Sequence, residues 1–251
     1  MHFCKSGRPQ PSNAARSARR SHVLRILRCG QVGSAATKRR AGRILAKLLT
    51  TDIPLACACG KLRGVALGVS RVSAARIVCY CDDCQAFAAF LARPGITDAW
   101  GGTDVLQIAP SRVQLTSGVQ ALACVRLSEK GMYRWYCAEC KTPLANSLSP
   151  RVPFVSLFHA FIAQGGSDDA RDEALGPPIG HVQTKFARGT LPNKPESLLR
   201  VLTHCGGLLA KWWLTGAGSP SPFFDTATRA PAVEPRVLTA AERAALRPPE
   251  A

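Results

Sequence analysis

Little in this sequence points toward a lipid bilayer. The longest apolar stretch runs from Val152 to Ala163 and is interrupted by His159, well short of the roughly 20 residues a membrane-spanning helix needs. Aromatic residues are scarce at 6%, although apolar residues in total reach 46%, an ordinary value for a chain that buries a core. Acidic residues are missing from residues 1–50, which hold twelve Lys or Arg. A disulfide scaffold lacks its usual setting too. Eleven cysteines is an odd number, the chain is long, and Val23-Leu-Arg-Ile-Leu27 is too short and too charged for a secretory core. These absences favour a reducing compartment, and a cytoplasmic location is expected.

The net charge of +17 is unevenly distributed. With twelve of the 33 basic residues in the first fifty positions, the remainder carries 21 basic against 16 acidic groups. The basicity therefore belongs to residues 1–50, which read as a poorly ordered basic arm. That arm suits an organelle-targeting peptide, an arm for anionic partners, or an extension that precedes a natural start near Thr50. Nucleic acid is not expected as a partner except non-specifically through the arm.

Beyond Thr50 the pattern turns β-rich, and the fold class expected is mainly β with a few helices, α+β overall. Short strands are predicted in Leu62–Val72 and at Val105–Ile108, Arg112–Leu115, Leu122–Leu127 and Tyr133–Tyr136, separated by turn signals such as Arg93-Pro-Gly and Gly101-Gly. Asp82–Leu91 reads as a helix with Ala86, Phe87 and Phe90 on one side. Pro153–Phe161 reads as a buried strand, and Gly165–Gly180 as a surface loop. A helix is expected over Pro195–Leu214, with Gly206-Gly207 a possible break and Trp212 and Trp213 as packing residues. Residues 217–251 read as an extended tail with a short helix at Ala240–Leu246. The organisation expected is thus 1–50 arm, 51–162 β domain, 163–216 loop and helix, and 217–251 tail.

Seven cysteines fall in tight clusters, and they carry the chemistry. Cys57-Ala-Cys59 precedes Gly60; Cys79-Tyr-Cys81 runs into Asp82-Asp83-Cys84; Cys137-Ala-Glu-Cys140 follows Tyr133–Tyr136. Closely spaced cysteines on a turn present two sulfurs to one ion, and Zn²⁺ favours four tetrahedral ligands with thiolate prominent among them. Two zinc sites are predicted. Cys57, Cys59, Cys137 and Cys140 form a closed structural site joining segments about eighty residues apart, and such a site can contribute on the order of 10–16 kcal/mol to folding. Cys79, Cys81 and Cys84 form a second site with one position open, the layout of a reactive zinc. Three thiolates over-neutralise Zn²⁺, so this centre suits a soft sulfur ligand better than water activation. Cys124 or His159 could instead close it; each also reads as a core residue. Cys205 reads as helix packing.

In order and spacing these clusters resemble the glutathione-dependent formaldehyde-activating (GFA) enzyme family, whose pattern is Cys-x-Cys-Gly, then Cys-x-Cys-x-x-Cys, then Cys-x-x-Cys. The resemblance covers roughly residues 53–162. Residues 180–230, with Ala187-Arg-Gly and Ser221-Pro-Phe-Phe, look closer to an uncharacterised branch of the same superfamily. The resemblance implies a β-tent fold, structural zinc on the first and last pairs, and a catalytic-type zinc on Cys79, Cys81 and Cys84. It also implies a carbon–sulfur lyase acting on a glutathione or other thiol adduct, as in S-(hydroxymethyl)glutathione synthesis. The sequence departs from the family at Tyr80, where the family has His, and at Lys141, where it has Gly. Arg76, Arg134 and Lys141 are candidates to recognise a carboxylate of a thiol ligand. The rival expectation is a non-catalytic, zinc-stapled binding module, since β-tent folds include chaperone-like binders.

Overall fold

The computed structural model describes residues 50–93, 95–162, 172–173, 175–192 and 197–246. The basic arm, with Cys4, Cys29 and any helical turn at Ile44–Leu49, lies outside them, as do most of the first half of the loop expected at Gly165–Gly180 and the Pro195-Glu196 helix start.

Among the described residues the chain forms β1 (Thr51–Ala56), β2 (Arg63–Val69), β3 (Ala74–Cys79), α1 (Asp82–Leu91), β4 (Thr103–Ile108), β5 (Val113–Ser117), β6 (Leu122–Arg126), β7 (Tyr133–Cys137), β8 (Pro143–Ser147), β9 (Val155–Phe158), β10 (His181–Val182), α2 (Leu198–Leu214), β11 (Arg236–Val237) and α3 (Ala240–Ala245). The class is mainly β, α+β overall. A three-stranded sheet has the order β1-β2-β5, and an eight-stranded sheet the order β10-β3-β4-β9-β8-β7-β6-β11. The pairs from β3 to β6 are antiparallel, while β10 and β11 add parallel pairs at the two ends. Both edge strands of the large sheet are two residues long, which leaves that sheet little exposed ladder for another chain to extend.

Among the described residues, two large hydrophobic layers hold the sheets, and a third, smaller cluster packs Leu208 and Trp212 of α2 against Ala75 and Ala109. One unites Ile53 and Leu55 of β1 and Val113 of β5 with Trp135, Leu144, Phe161 and Phe223, so it joins the small sheet to the large one. The backbones of β2 and β5 come close at Gly64, where a Cβ would stand 2.3 Å from the Gln114 carbonyl oxygen. The other layer lies beneath α1, where Phe87 meets Phe158 and Tyr136 edge-on at 5.6 and 6.4 Å and packs with Ile77 and Val105.

Helix α2 runs unbroken through Gly206-Gly207. It buries Val201, Leu208 and Trp212 at helical spacing, while Trp213 is 74% exposed and therefore does not pack. The C-terminal segment is more deeply built in than an extended tail. Phe223 is fully buried and stacks on Trp135 at 5.1 Å, and Phe224 meets the same indole edge-on at 5.6 Å. Helix α3 opens with a Thr239/Glu242 capping box, which satisfies two otherwise unpaired N–H groups.

Candidate metal centres

Cys57 and Cys59 lie on the turn leaving β1, and Cys137 and Cys140 on the turn between β7 and β8. The first turn closes through Gly60 N–H to the Cys57 carbonyl (2.8 Å) and Cys57 N–H to the Leu62 carbonyl (3.0 Å). The second closes through Lys141 N–H to the Cys137 carbonyl and Cys137 N–H to the Thr142 carbonyl, both 2.9 Å. Each tight loop leaves one residue left-handed, Gly60 at φ 70° and Lys141 at φ 58°. Thr142 ties the two turns together: its Oγ1 accepts Ala58 N–H at 3.0 Å and the Arg93 guanidinium at 3.1 Å, and stands 3.1 Å from Cys140 Sγ.

The four sulfurs all lie within 4.8 Å of one another. Cys57 and Cys59 Sγ are 3.3 Å apart, and Cys59 and Cys137 Sγ 3.9 Å. A tetrahedron with Zn–S bonds of about 2.3 Å has edges of about 3.8 Å, so the group suits one ion. Burial raises the Cys57 and Cys137 thiols. Burial acts the same way on Cys140, but hydrogen bonds from the Thr142 side chain and backbone outweigh it and lower Cys140 to about 6. One ligand is thereby ready as a thiolate at neutral pH.

Cys79 ends β3, Cys81 caps α1, and Cys84 sits in the helix's first turn. The three sulfurs are also within 4.8 Å of one another. Cys84 N–H points at Cys81 Sγ at 3.4 Å, so the helix N-terminus favours negative charge there. Crowding and burial nevertheless hold the thiols protonated. Cys79 is raised to about 11, chiefly by its contact with Cys81. On Cys81 the contact with Cys79 pulls downward, but the contact with Cys84 and burial prevail and raise it to about 12. Cys84 is raised to about 12, first by Cys79, although Arg134 pulls it down. A divalent cation would supply the charge these thiolates lack. Asp82 and Asp83, between the ligands, are balanced by Arg243, which reaches both at 3.3 and 2.8 Å, and by buried Arg134, which reaches Asp83 at 3.4 Å.

The surrounding side chains are arranged differently from the sequence expectation. Cys124 is a buried core residue of β6, and both nitrogens of His159 face backbone carbonyls, of Asp104 at 3.2 Å and Gly95 at 3.0 Å. Neither belongs to the three-sulfur group. Cys205 is half-buried against α2's packing layer. Arg76 is spent in a two-point hydrogen-bonded pair with Asp104 and a further pair with Asp172, so it is not free to recognise a ligand's carboxylate, while Arg134 is 1% exposed and reaches Asn146 and Asp83. Lys141 lies with its ammonium 5.3 Å from the Tyr136 ring centre. Tyr80 is buried, and its hydroxyl donates to Asp98 at 3.0 Å. Burial and then the Asp98 charge raise its pKa. Gly102 leaves room for that ring, since a Cβ there would meet it at 2.6 Å. Gln85 holds the loop by donating to the carbonyls of Tyr80 and Phe186, both at 2.8 Å.

Thr142, Arg93, Gln85 and Asp98 are thus parts of the two centres that spacing did not reveal. Their partners are distant in sequence or are backbone atoms, and no local pattern marks them.

The two groups could hold metal ions, and the donor chemistry fits zinc: a closed four-thiolate set and a three-thiolate set with no fourth His, Cys, Asp or Glu among the described residues. The model of a family of unknown function, DUF6151, matches residues 49–234. No curated protein matches the chain.

Proposed function

We propose, from the premise that this chain belongs to the DUF6151 family of unknown function, that it is a two-zinc protein whose second centre binds a small thiol. The convergence of Cys79, Cys81 and Cys84 without a fourth protein ligand among the described residues carries this reading. Cys57, Cys59, Cys137 and Cys140 would hold a structural ion, and zinc at the triplet would supply a Lewis acid matched to soft sulfur. The chain's own residues shape that centre: Cys81 and the first turn of α1 orient two sulfurs, while Arg134 and Arg243 offset the local negative charge. The GFA-like cysteine order supports a carbon–sulfur lyase acting on a thiol adduct. In the synthetic direction a thiol adds to a small aldehyde, a sulfur–carbon bond forms, and the thiol proton ends on the carbonyl oxygen.

One observation favours a second reading, a zinc-stapled module without turnover. Tyr80 stands where the GFA enzymes that the cysteine order resembles have His, yet its hydroxyl is committed to Asp98, so it presents no proton donor to the sulfurs. Adding glutathione to the zinc-loaded protein separates the two. A shifted zinc absorption edge and a raised melting temperature are expected from an open centre. Unchanged values with both ions bound would leave the module reading in place.

A further inference from the structure

We propose that Thr103 is a positioning residue of the three-sulfur centre, its hydroxyl hydrogen-bonding the ligating atom of whatever small thiol occupies the open position; this rests on the open-centre reading above. Thr103 is fully buried, and its Oγ1 has no hydrogen-bond partner among the described residues. Leaving a buried hydroxyl unpaired is costly, so such a group calls for a partner beyond the described residues, and a bound ligand atom can supply it.

Its place in the sheet says where that partner sits. Thr103 is directly opposite Cys79 in the antiparallel β3–β4 register, and residues so paired project from the same face with Cβ atoms about 5 Å apart. Two positions along, the Ile77↔Val105 pair lies in the layer beneath α1 with Phe87. Cys84, one turn before Phe87 on α1, faces the same side. Thr103 therefore shares the space under the N-terminus of α1 with Cys79 and Cys84.

The neighbouring donors fit the same picture. Arg134 Nε and Arg243 Nη1 are also buried without partners, and both residues reach Asp83 beside the sulfurs. Donors without acceptors around a metal-binding loop suit an electron-rich ligand atom. A thiolate sulfur, polarised by the ion and still holding lone pairs, accepts such a bond.

The test loads the full chain with Co²⁺, whose sulfur charge-transfer absorption reports each thiolate bound, and titrates it with 2-mercaptoethanol. Thr103→Val keeps the shape and removes the hydroxyl, and Thr103→Ser keeps the hydroxyl. With two ions per chain in every protein, Val is expected to weaken thiol binding about five- to tenfold and Ser to restore it. If Val does not fold, Thr103→Ala read against Ser serves the same comparison. A wild-type response matched by Val overturns the Thr103 assignment alone. A wild type that holds two ions and shows no response to thiol overturns the open centre and the assignment together.

Discussion

Lys141 carries a backbone conformation that glycine adopts at less cost, φ 58° on the turn that presents Cys140. A side chain in this region costs about 1 kcal/mol or more, and the ammonium's approach to the Tyr136 ring recovers part of it. Lys141→Gly is therefore expected to stabilise the metal-loaded protein by up to about 1 kcal/mol, read as a higher melting temperature; a clear loss would mean that the ring contact outweighs the strain. The grouping of the seven cysteines was legible from their spacing, whereas the backbone at Lys141 was marked only by the Gly that the resembled GFA family has there. The role of Thr142 was not. Its contact with Ala58 spans 84 positions, and a threonine two residues past a cysteine carries no signal of its own. Arg76 misled for a related reason: a basic side chain on a strand gives no hint that carboxylates from elsewhere in the chain already use it.

At the scale of elements, periodicity located most of the strands that alternate, though not β1 with its alternately buried and exposed residues, and the helices that bury one stripe. β3 escaped because five of its six residues are buried, so the Ala-Ala-Arg-Ile-Val run has no alternation to detect. β8 escaped because Pro-Leu-Ala-Asn-Ser has the composition of a turn, yet all five residues are buried between β7 and β9. Proline at the first position is compatible with such a strand. Helix α2 shows the opposite error. Gly206 and Gly207 look like a break, but Val201, Leu208 and Trp212 hold the helix together through burial on either side of them. A Cβ at either glycine meets nothing within 4 Å, so Gly206→Ala is expected to stabilise the protein by about 1 kcal/mol, measured as a shift of the urea midpoint at constant slope. A loss of stability there would mean that the exposed face of α2 needs its glycine.

For the whole molecule, the four-sulfur group joins the end of β1 in the small sheet to the end of β7 in the large one. Chelation is accordingly expected to loosen the packing of the two sheets on each other before it melts either one. The three-sulfur group couples the same metal dependence to pH. Its thiols are raised to about 11, 12 and 12, so at neutral pH an incoming ion must displace protons. Apparent affinity at this centre should then fall as pH falls, by up to roughly a thousand-fold per unit if three protons leave. Competition with a chelator of known affinity at pH 7 and 8 measures the slope, and a flat profile would mean that the triplet does not bind as thiolates.

The zinc content of the full chain after exhaustive dialysis, beside Cys81→Ser and Cys57→Ser, tests the central claim most directly. Two ions per wild-type chain are expected, with Cys81→Ser losing one and remaining folded, and Cys57→Ser losing the ion that joins the sheets together with much of its stability. A folded wild-type protein without metal, or a second ion that survives Cys81→Ser unchanged, would contradict it.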